Sequence, residues 1–221
     1  MKYQILHTGK VNFGYIIVIL TNIGTNMYKT FGKRVVDITG SLIALSILAV
    51  PMVFVALAVK LTSKGSVLYK QERTGLNGKT FNIYKFRSLK PFMCFDGYQA
   101  NNNAHIKTPI GNFLRVYSID ELPQIFNVLN GSMSLVGPRP HPIYLDQKYD
   151  SCTLVHQRYA VKPGITGLAQ ISGYRGETKT LEEFTGRILL DLDYINQLSF
   201  MNDIKIVCKT ASRIFSTSKG S

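Results

Sequence analysis

The chain has 221 residues and a formal net charge of +13, from 26 Lys and Arg against 13 Asp and Glu. That length fits one soluble domain of ordinary size plus a small membrane element, and the basic excess calls for an anionic partner: nucleic acid, an anionic membrane surface or a phosphorylated small molecule. Cys94, Cys152 and Cys208, with His7, His105, His141 and His156, show neither disulfide nor metal spacing, so a reducing compartment is the default.

Residues 1–30 read as an irregular or surface-lying lead-in. Tyr15 to Leu20 is apolar but too short to span, and no small-residue cleavage site follows it, which argues against a removable signal peptide. Ile38 to Val59 is a run of 22 residues without a charge. As a straight helix it would reach about 33 Å, enough for a bilayer core. Lys33 and Arg34 precede it and Lys60 and Lys64 follow, whereas a spanning helix usually has basic residues in excess on one side. Pro51 removes a backbone donor and should kink or break the helix, while Thr39, Ser41 and Ser46 can bond freed carbonyls. These features favour a re-entrant helix that returns to the side it entered; an ordinary kinked span stays open.

Two alternating runs, Val67 to Lys70 and Phe81 to Phe86, flank Asn77-Gly78 and predict a β-hairpin ending in Lys85-Phe86-Arg87-Ser88. Residues 91–109 are polar and turn-rich and predict a loop. Ile110 to Tyr117 has helical spacing. Ser118 could cap a further helix, with Glu121 completing a capping box, and Leu122 to Leu129 continuing to a stop at Asn130-Gly131. Asp120 and Glu121 stand side by side here, with Arg115 five residues before Asp120 and Arg139 beyond. Adjacent carboxylates near arginines suit magnesium, a phosphorylated substrate or a carboxylate nucleophile; acids complementing a helix N-terminus are the ordinary alternative.

Pro138, Pro140 and Pro142 predict a stiff segment presenting Arg139, a fit for a phosphate clamp or a structural turn. Residues 145–160 read as a basic helix, and Lys162 to Leu168 as a glycine-rich loop that could approach a phosphate. Leu181 to Leu198 reads as a helix with Glu182, Glu183, Asp191 and Asp193 on its polar side. In Ile204 to Phe215, Ile204, Val207, Cys208, Ala211 and Phe215 share one face and Lys205, Lys209 and Arg213 another. That pattern suits either an interfacial helix or one packed on the domain. No repeat or low-complexity linker is present.

Several blocks follow one another in a specific order: Lys33-Arg34-Val35-Val36-Asp37, Gln71-Glu72-Arg73-Thr74-Gly75, Lys85-Phe86-Arg87-Ser88 and Ser118-Ile119-Asp120-Glu121-Leu122-Pro123-Gln124. Then come Ser134-Leu135-Val136-Gly137-Pro138-Arg139-Pro140, Lys162-Pro163-Gly164-Ile165-Thr166-Gly167 and Asp191-Leu192-Asp193-Tyr194. Over about residues 30–215 the chain resembles the bacterial sugar transferases, the monotopic phosphoglycosyl transferases. With Gly173 to Thr178 it is most similar to their exopolysaccharide-initiating branch.

The resemblance implies a mostly helical α+β fold with a re-entrant membrane helix, a small β-hairpin and interfacial amphipathic helices. It implies a lead-in at 1–32, a membrane helix at 33–64 with its break at Pro51, and a cytoplasmic catalytic domain at 65–221. It further implies transfer of a sugar-1-phosphate from a UDP-sugar to undecaprenyl phosphate at the inner membrane, with release of UMP and with magnesium as cofactor, as the first membrane step of exopolysaccharide, capsule or O-antigen synthesis. Asp120 would be the nucleophile and the magnesium contact, and Glu121 its assistant. Arg115, Arg139, Lys85 and Arg87 would bind phosphate. Monomer and homodimer both fit.

The chain departs from the family in having Val50 before Pro51, and Asn101, Asn102, Asn103 and His105 where relatives carry an Asp/Arg pair. Larger members carry an N-terminal multi-span region, so a minimal or shortened form is expected. Two other classes compete. A nucleic-acid-binding protein would account for the charge, but not for the uncharged run or the lack of a recognisable binding module. A non-catalytic membrane scaffold would keep the fold without needing Asp120, Glu121, Arg115 and Arg139.

Overall fold

A computed structural model describes residues 27–90, 107–149, 153–174 and 180–217. The lead-in before Met27, most of the 91–109 loop, and the Asn101–His105 stretch lie outside the described residues.

One π-helical turn, Tyr28–Gly32, runs into a 30-residue helix, α1, Lys33–Thr62. Pro51 lies inside α1 and does not end it. At about 1.5 Å per residue α1 is roughly 45 Å long. Its two sides differ. Asp37, Ser41, Met52 and Val59 are buried, while Ile43, Ile47, Val50, Phe54, Leu57 and Leu61 form an exposed stripe at alternating spacings of four and three. Leu61 is 84 % exposed. Moving such side chains out of water stabilises by about 1.5–3 kcal/mol each when fully buried. The stripe therefore demands a lipid or protein cover.

Both ends of α1 are tied to the same folded body. At the N-terminal end Arg34 donates to the carbonyls of Val128 and Leu129 at 2.5 and 2.7 Å, where a cation complements a helix C-terminus. Asp37 accepts from the Ser134 hydroxyl and the Leu135 N–H at 2.8 and 2.9 Å. Lys33 donates to Asp203 at 2.7 Å, and Asp203 also accepts from Tyr28 and Tyr194 at 2.6 and 2.9 Å. These bonds give the Lys33-Arg34-Val35-Val36-Asp37 block its structural purpose. At the other end Met52 and Val59 pack with Phe86 and Leu114, and Arg87 donates to the carbonyl and hydroxyl oxygens of Ser63 at 2.7 and 2.8 Å.

The predicted hairpin is present: β1, Leu68–Thr74, pairs antiparallel with β2, Thr80–Phe86, with Tyr69 opposite Lys85. Asn77 and Gly78 take positive φ in the turn, as that dipeptide allows. Next come α2, Gly111–Val116, a 3₁₀ turn, Ile119–Glu121, and α3, Gln124–Leu129, which ends at Gly131 with φ of 86°.

Strand β3, Ser134–Val136, pairs in parallel with β4, Gly164–Thr166. The glycine-rich loop expected at 162–168 is thus half strand. Its glycines serve backbone packing: a Cβ on Gly164 would lie 2.1 Å from the Gly137 nitrogen. The single basic helix expected at 145–160 is instead α4, Ile143–Lys148, α5, Thr153–Gln157, and a 3₁₀ turn, Arg158–Ala160. The difference has a physical basis, since Leu145, Val155 and Arg158 must each reach the interior from a short piece.

After α6, Leu168–Ile171, helix α7, Leu181–Asn196, begins with a capping box between Thr180 and Glu183. Asp191, expected on its polar side, is buried. Helix α8, Phe200–Thr217, buries Asp203 and Ile206, whereas Ile204, Val207 and Cys208 face out. The apolar face read from the sequence is thus left without a cover on its described part, beside the exposed Phe200 and Met201.

Candidate active site

Asp120 and Glu121 occupy the 3₁₀ turn between α2 and α3. Apolar contacts fix that turn: Ile119 and Leu122 pack beside Leu114, Phe86 and α1. The expected capping box does not form. Ser118 adopts left-handed backbone with φ of 56° and makes no side-chain cap bond, whereas an N-cap is normally extended. Glu121 reaches two cations instead of turning back to Ser118.

Both oxygens of Glu121 are committed. Arg139 grips them in a fork, at 2.5 Å to Oε1 and 3.2 Å to Oε2, and Lys85 donates to Oε1 at 2.7 Å. The stiff Gly137 to Pro142 segment after β3 supplies the arginine's direction, and strand β2 supplies the lysine. Burial alone would raise the Glu121 pKa; Arg139 and Lys85 overcome it and hold the carboxyl well below the usual range. Glu121 also raises the Arg139 pKa. This ion triplet is a fixed, charged strut.

Asp120 contrasts with its neighbour. It is 6 % exposed, and among the described residues its one side-chain hydrogen bond is a long one, from the Ser88 hydroxyl to Oδ2 at 3.4 Å. Burial raises its pKa, with the Glu121 charge adding to the rise, against the lowering pull of Lys85, Arg115 and Arg139. The half-buried Arg115 acts on it through charge; among the described residues its side chain has no hydrogen-bond partner. One carboxylate is thus anchored and the other is under-bonded among cations, a separation of environments that separates chemical roles.

Of the predicted site residues, the structure gathers Asp120, Glu121, Lys85, Arg115 and Arg139. Arg87 is turned elsewhere, to the Ser63 end of α1. Lys85 lies in β2 and Arg87 one residue past its end, and the two cations serve different partners, Glu121 and Ser63.

Sequence reasoning missed three residues. Ser88 completes the Lys85-to-Ser88 block and could have been found by adjacency. Arg73, within the Gln71-to-Gly75 block, donates to the Pro140 carbonyl at 3.2 Å and has its pKa lowered to about 10 by burial and by Arg139. Arg158 gave no local signal. It is buried behind Arg139, donating to the Arg139 carbonyl at 2.6 Å and to Asp191 at 2.7 Å. Next to it His141, pushed down to about 3 by burial and by Arg158, is a neutral imidazole hydrogen-bonded to Asp146 at 3.0 Å.

Among the described residues no three His, Cys, Asp or Glu side chains cluster as a metal centre. With Glu121 occupied, Asp120 is the carboxylate with coordination capacity to spare. One carboxylate fits a magnesium ion that takes its remaining ligands from substrate phosphates and water, and does not fit a metal caged by protein alone.

The model of the family "Bacterial sugar transferase" matches residues 28–217. A UDP-glucose:undecaprenyl-phosphate glucose-1-phosphate transferase of Escherichia coli K12 is 46% identical over 186 residues, covering 83% of this chain and 40% of its own length. One of the same name from Klebsiella pneumoniae is 44% identical over 94% of this chain and 45% of its own. The chain thus spans less than half the length of these two relatives. The exopolysaccharide production protein PSS of Rhizobium leguminosarum bv. phaseoli is 43% identical over 85% of this chain and 97% of its own length. With the acidic pair and its arginines inside a match that runs through nearly all the described residues, the chain belongs to the bacterial sugar transferase family.

Proposed function

We propose that this protein transfers a sugar-1-phosphate from a UDP-sugar to undecaprenyl phosphate and releases UMP, the first membrane step of an exopolysaccharide-type glycan. The observation that carries the chemistry is the division of labour in the acidic pair, with Glu121 bound by Arg139 and Lys85 and Asp120 left under-bonded.

An Asp120 carboxylate oxygen attacks the β-phosphorus. The bond from that phosphorus to the bridging oxygen breaks, and UMP leaves with the electron pair. A phosphate oxygen of undecaprenyl phosphate then attacks the same phosphorus and frees Asp120. Splitting the transfer lets a soluble and a membrane-bound substrate use one site in turn. Arg115 neutralises charge on the transferred group, and Glu121 acts through Arg139 and Lys85 by holding their direction. Magnesium, held by Asp120 and the substrate phosphates, would neutralise the charge of the diphosphate. Incubating purified protein with a panel of UDP-sugars, UDP-glucose first, and undecaprenyl phosphate tests the reading. UMP release dependent on both substrates is expected, and its absence with every donor leaves a non-catalytic scaffold.

We also propose that residues 33–64 form a re-entrant membrane element, with the catalytic domain, 65–221, on the cytoplasmic face of the inner membrane. A straight span sets its ends on opposite sides of a core about 30 Å thick. Here one folded body holds both ends of α1 while its apolar stripe faces outward, which supports a helix immersed from one side. The bare face of α8 and the exposed Phe113 and Val116 of α2 suit the same lipid surface. Accessibility tags before residue 27 and at residue 65 should report one side of the membrane; opposite sides would discard this topology.

A further inference from the structure

Behind Arg139 lies a feature that the acidic pair does not use. Arg158 is 3 % exposed, and among the described residues only one of its three nitrogens is engaged; Nε and Nη1 are buried without a hydrogen-bond partner there. A buried donor without a partner costs about 1–3 kcal/mol, so such a guanidinium calls for an acceptor. Arg158 lines a small opening of about 10 Å³, room for about one water, together with Arg139, Thr74, Gly75 and Tyr159. The adjoining Arg73 makes no ion pair among the described residues, and its Nε is likewise unpartnered. Arg139 and Lys85 share Glu121, and Arg158 pairs with Asp191 and lies near Asp146, so Arg73 is the cation here left without a carboxylate among the described residues.

The opening shares Thr74 and Tyr159 with a wide cleft of about 570 Å³ between the β1–β2 turn and the α4–α5 region. Small-molecule sites commonly occupy about 300–1,000 Å³. Asn77, Gln147 and Gln157 line it together with Asp146, so amide donors and acceptors border the cleft. The order of features is therefore acidic pair, Arg139, Arg158, then an amide-rimmed cleft.

We propose that the nucleoside monophosphate half of the donor lies along this line, its phosphate at the mouth of the opening beside Arg139 and Arg73, with the Arg158 charge behind them, and its base and ribose in the cleft. The proposal rests on the reading of the donor as a nucleoside diphosphate sugar. In-line phosphoryl transfer sends the leaving group away from the nucleophile, and this track leads from the Asp120–Glu121 turn through Arg139. The Arg158 charge then stabilises the departing phosphate from behind as its charge builds.

The test is calorimetric binding of UMP and of pyrophosphate to the full chain in detergent, beside product inhibition by UMP. Arg158→Lys should weaken both ligands about tenfold. Because Arg158 is buried and that variant could misfold, the exposed rim pair Gln147→Ala/Gln157→Ala carries the test independently. It should weaken UMP about tenfold and leave pyrophosphate unchanged. UMP affinity within twofold of wild type in the rim variant overturns the proposal, as does a rim variant whose sugar preference changes while UMP inhibition stays the same. Wild-type protein that binds UMP with this rim dependence but turns over no UDP-sugar supports the subsite and rejects the transferase reading. Turnover that is indifferent to the rim rejects the subsite alone.

Discussion

Replacing Asp120 by Asn is expected to cut UMP release by at least about 10³-fold, the scale on which removal of a covalent nucleophile acts. Asn keeps the shape and the bond from Ser88 but cannot form the acyl phosphate, so donor affinity should change by only a few-fold. A donor labelled at its β-phosphate should leave label on wild-type protein when undecaprenyl phosphate is withheld, and none on the variant. Full turnover by Asp120→Asn would remove Asp120 from the mechanism. The rate should also fall with acid. The carboxylate is the reactive form, and burial raises the Asp120 pKa above the ordinary 3.8, so the acidic limb should lie above that value.

The second expectation concerns Glu121→Gln. It leaves Lys85 and Arg139, with side chains only 17% and 22% exposed, without their shared carboxylate. Breaking a buried ion pair from one side costs about 3–5 kcal/mol; Gln keeps one accepting oxygen, so about 3 kcal/mol is expected by denaturant titration in detergent. A freed Arg139 loses its fixed direction, and misplacement near 1 Å costs about 10²-fold in rate. The pH dependence has a definite sign. The Glu121 pKa is depressed in the folded state, so its contribution is complete above the unfolded value of 4.5 and is lost as pH falls below it. The variant should show a shallower loss of stability below pH 4.5. A slower rate with unchanged stability and unchanged acid slope would mean that Glu121 meets the substrate itself rather than acting through Arg139.

Patterns confined to neighbouring residues were legible in the chain. The hairpin, the 22-residue apolar run, the helix after Ile110 and the Gly131 stop each depend on periodicity or on a glycine that tolerates positive φ. Where short-range reading failed, a distant partner had won. The capping box at Ser118 is lost because Glu121 is pulled to Lys85 on β2 and to Arg139. Asp191 left the polar face because Arg158 lies buried opposite it. Arg87 left the site because the end of α1 needed its guanidinium. The glycines at 164 and 167 were needed by backbone rather than by phosphate.

By itself the sequence determined that an acidic pair would stand near arginines, and that a long uncharged helix would need an apolar cover. Both properties are inherent in residue order, through spacing and hydropathy. Tertiary structure decided which carboxylate is left under-bonded. Glu121 and Asp120 are neighbours of similar chemistry, and only the convergence of Arg139 from the proline-rich segment and Lys85 from β2 on one of them distinguishes the two. It likewise decided that both ends of α1 belong to a single body, because the carbonyls of α3, the Asp203 carboxylate and the Arg87 guanidinium that hold them come from segments far along the chain.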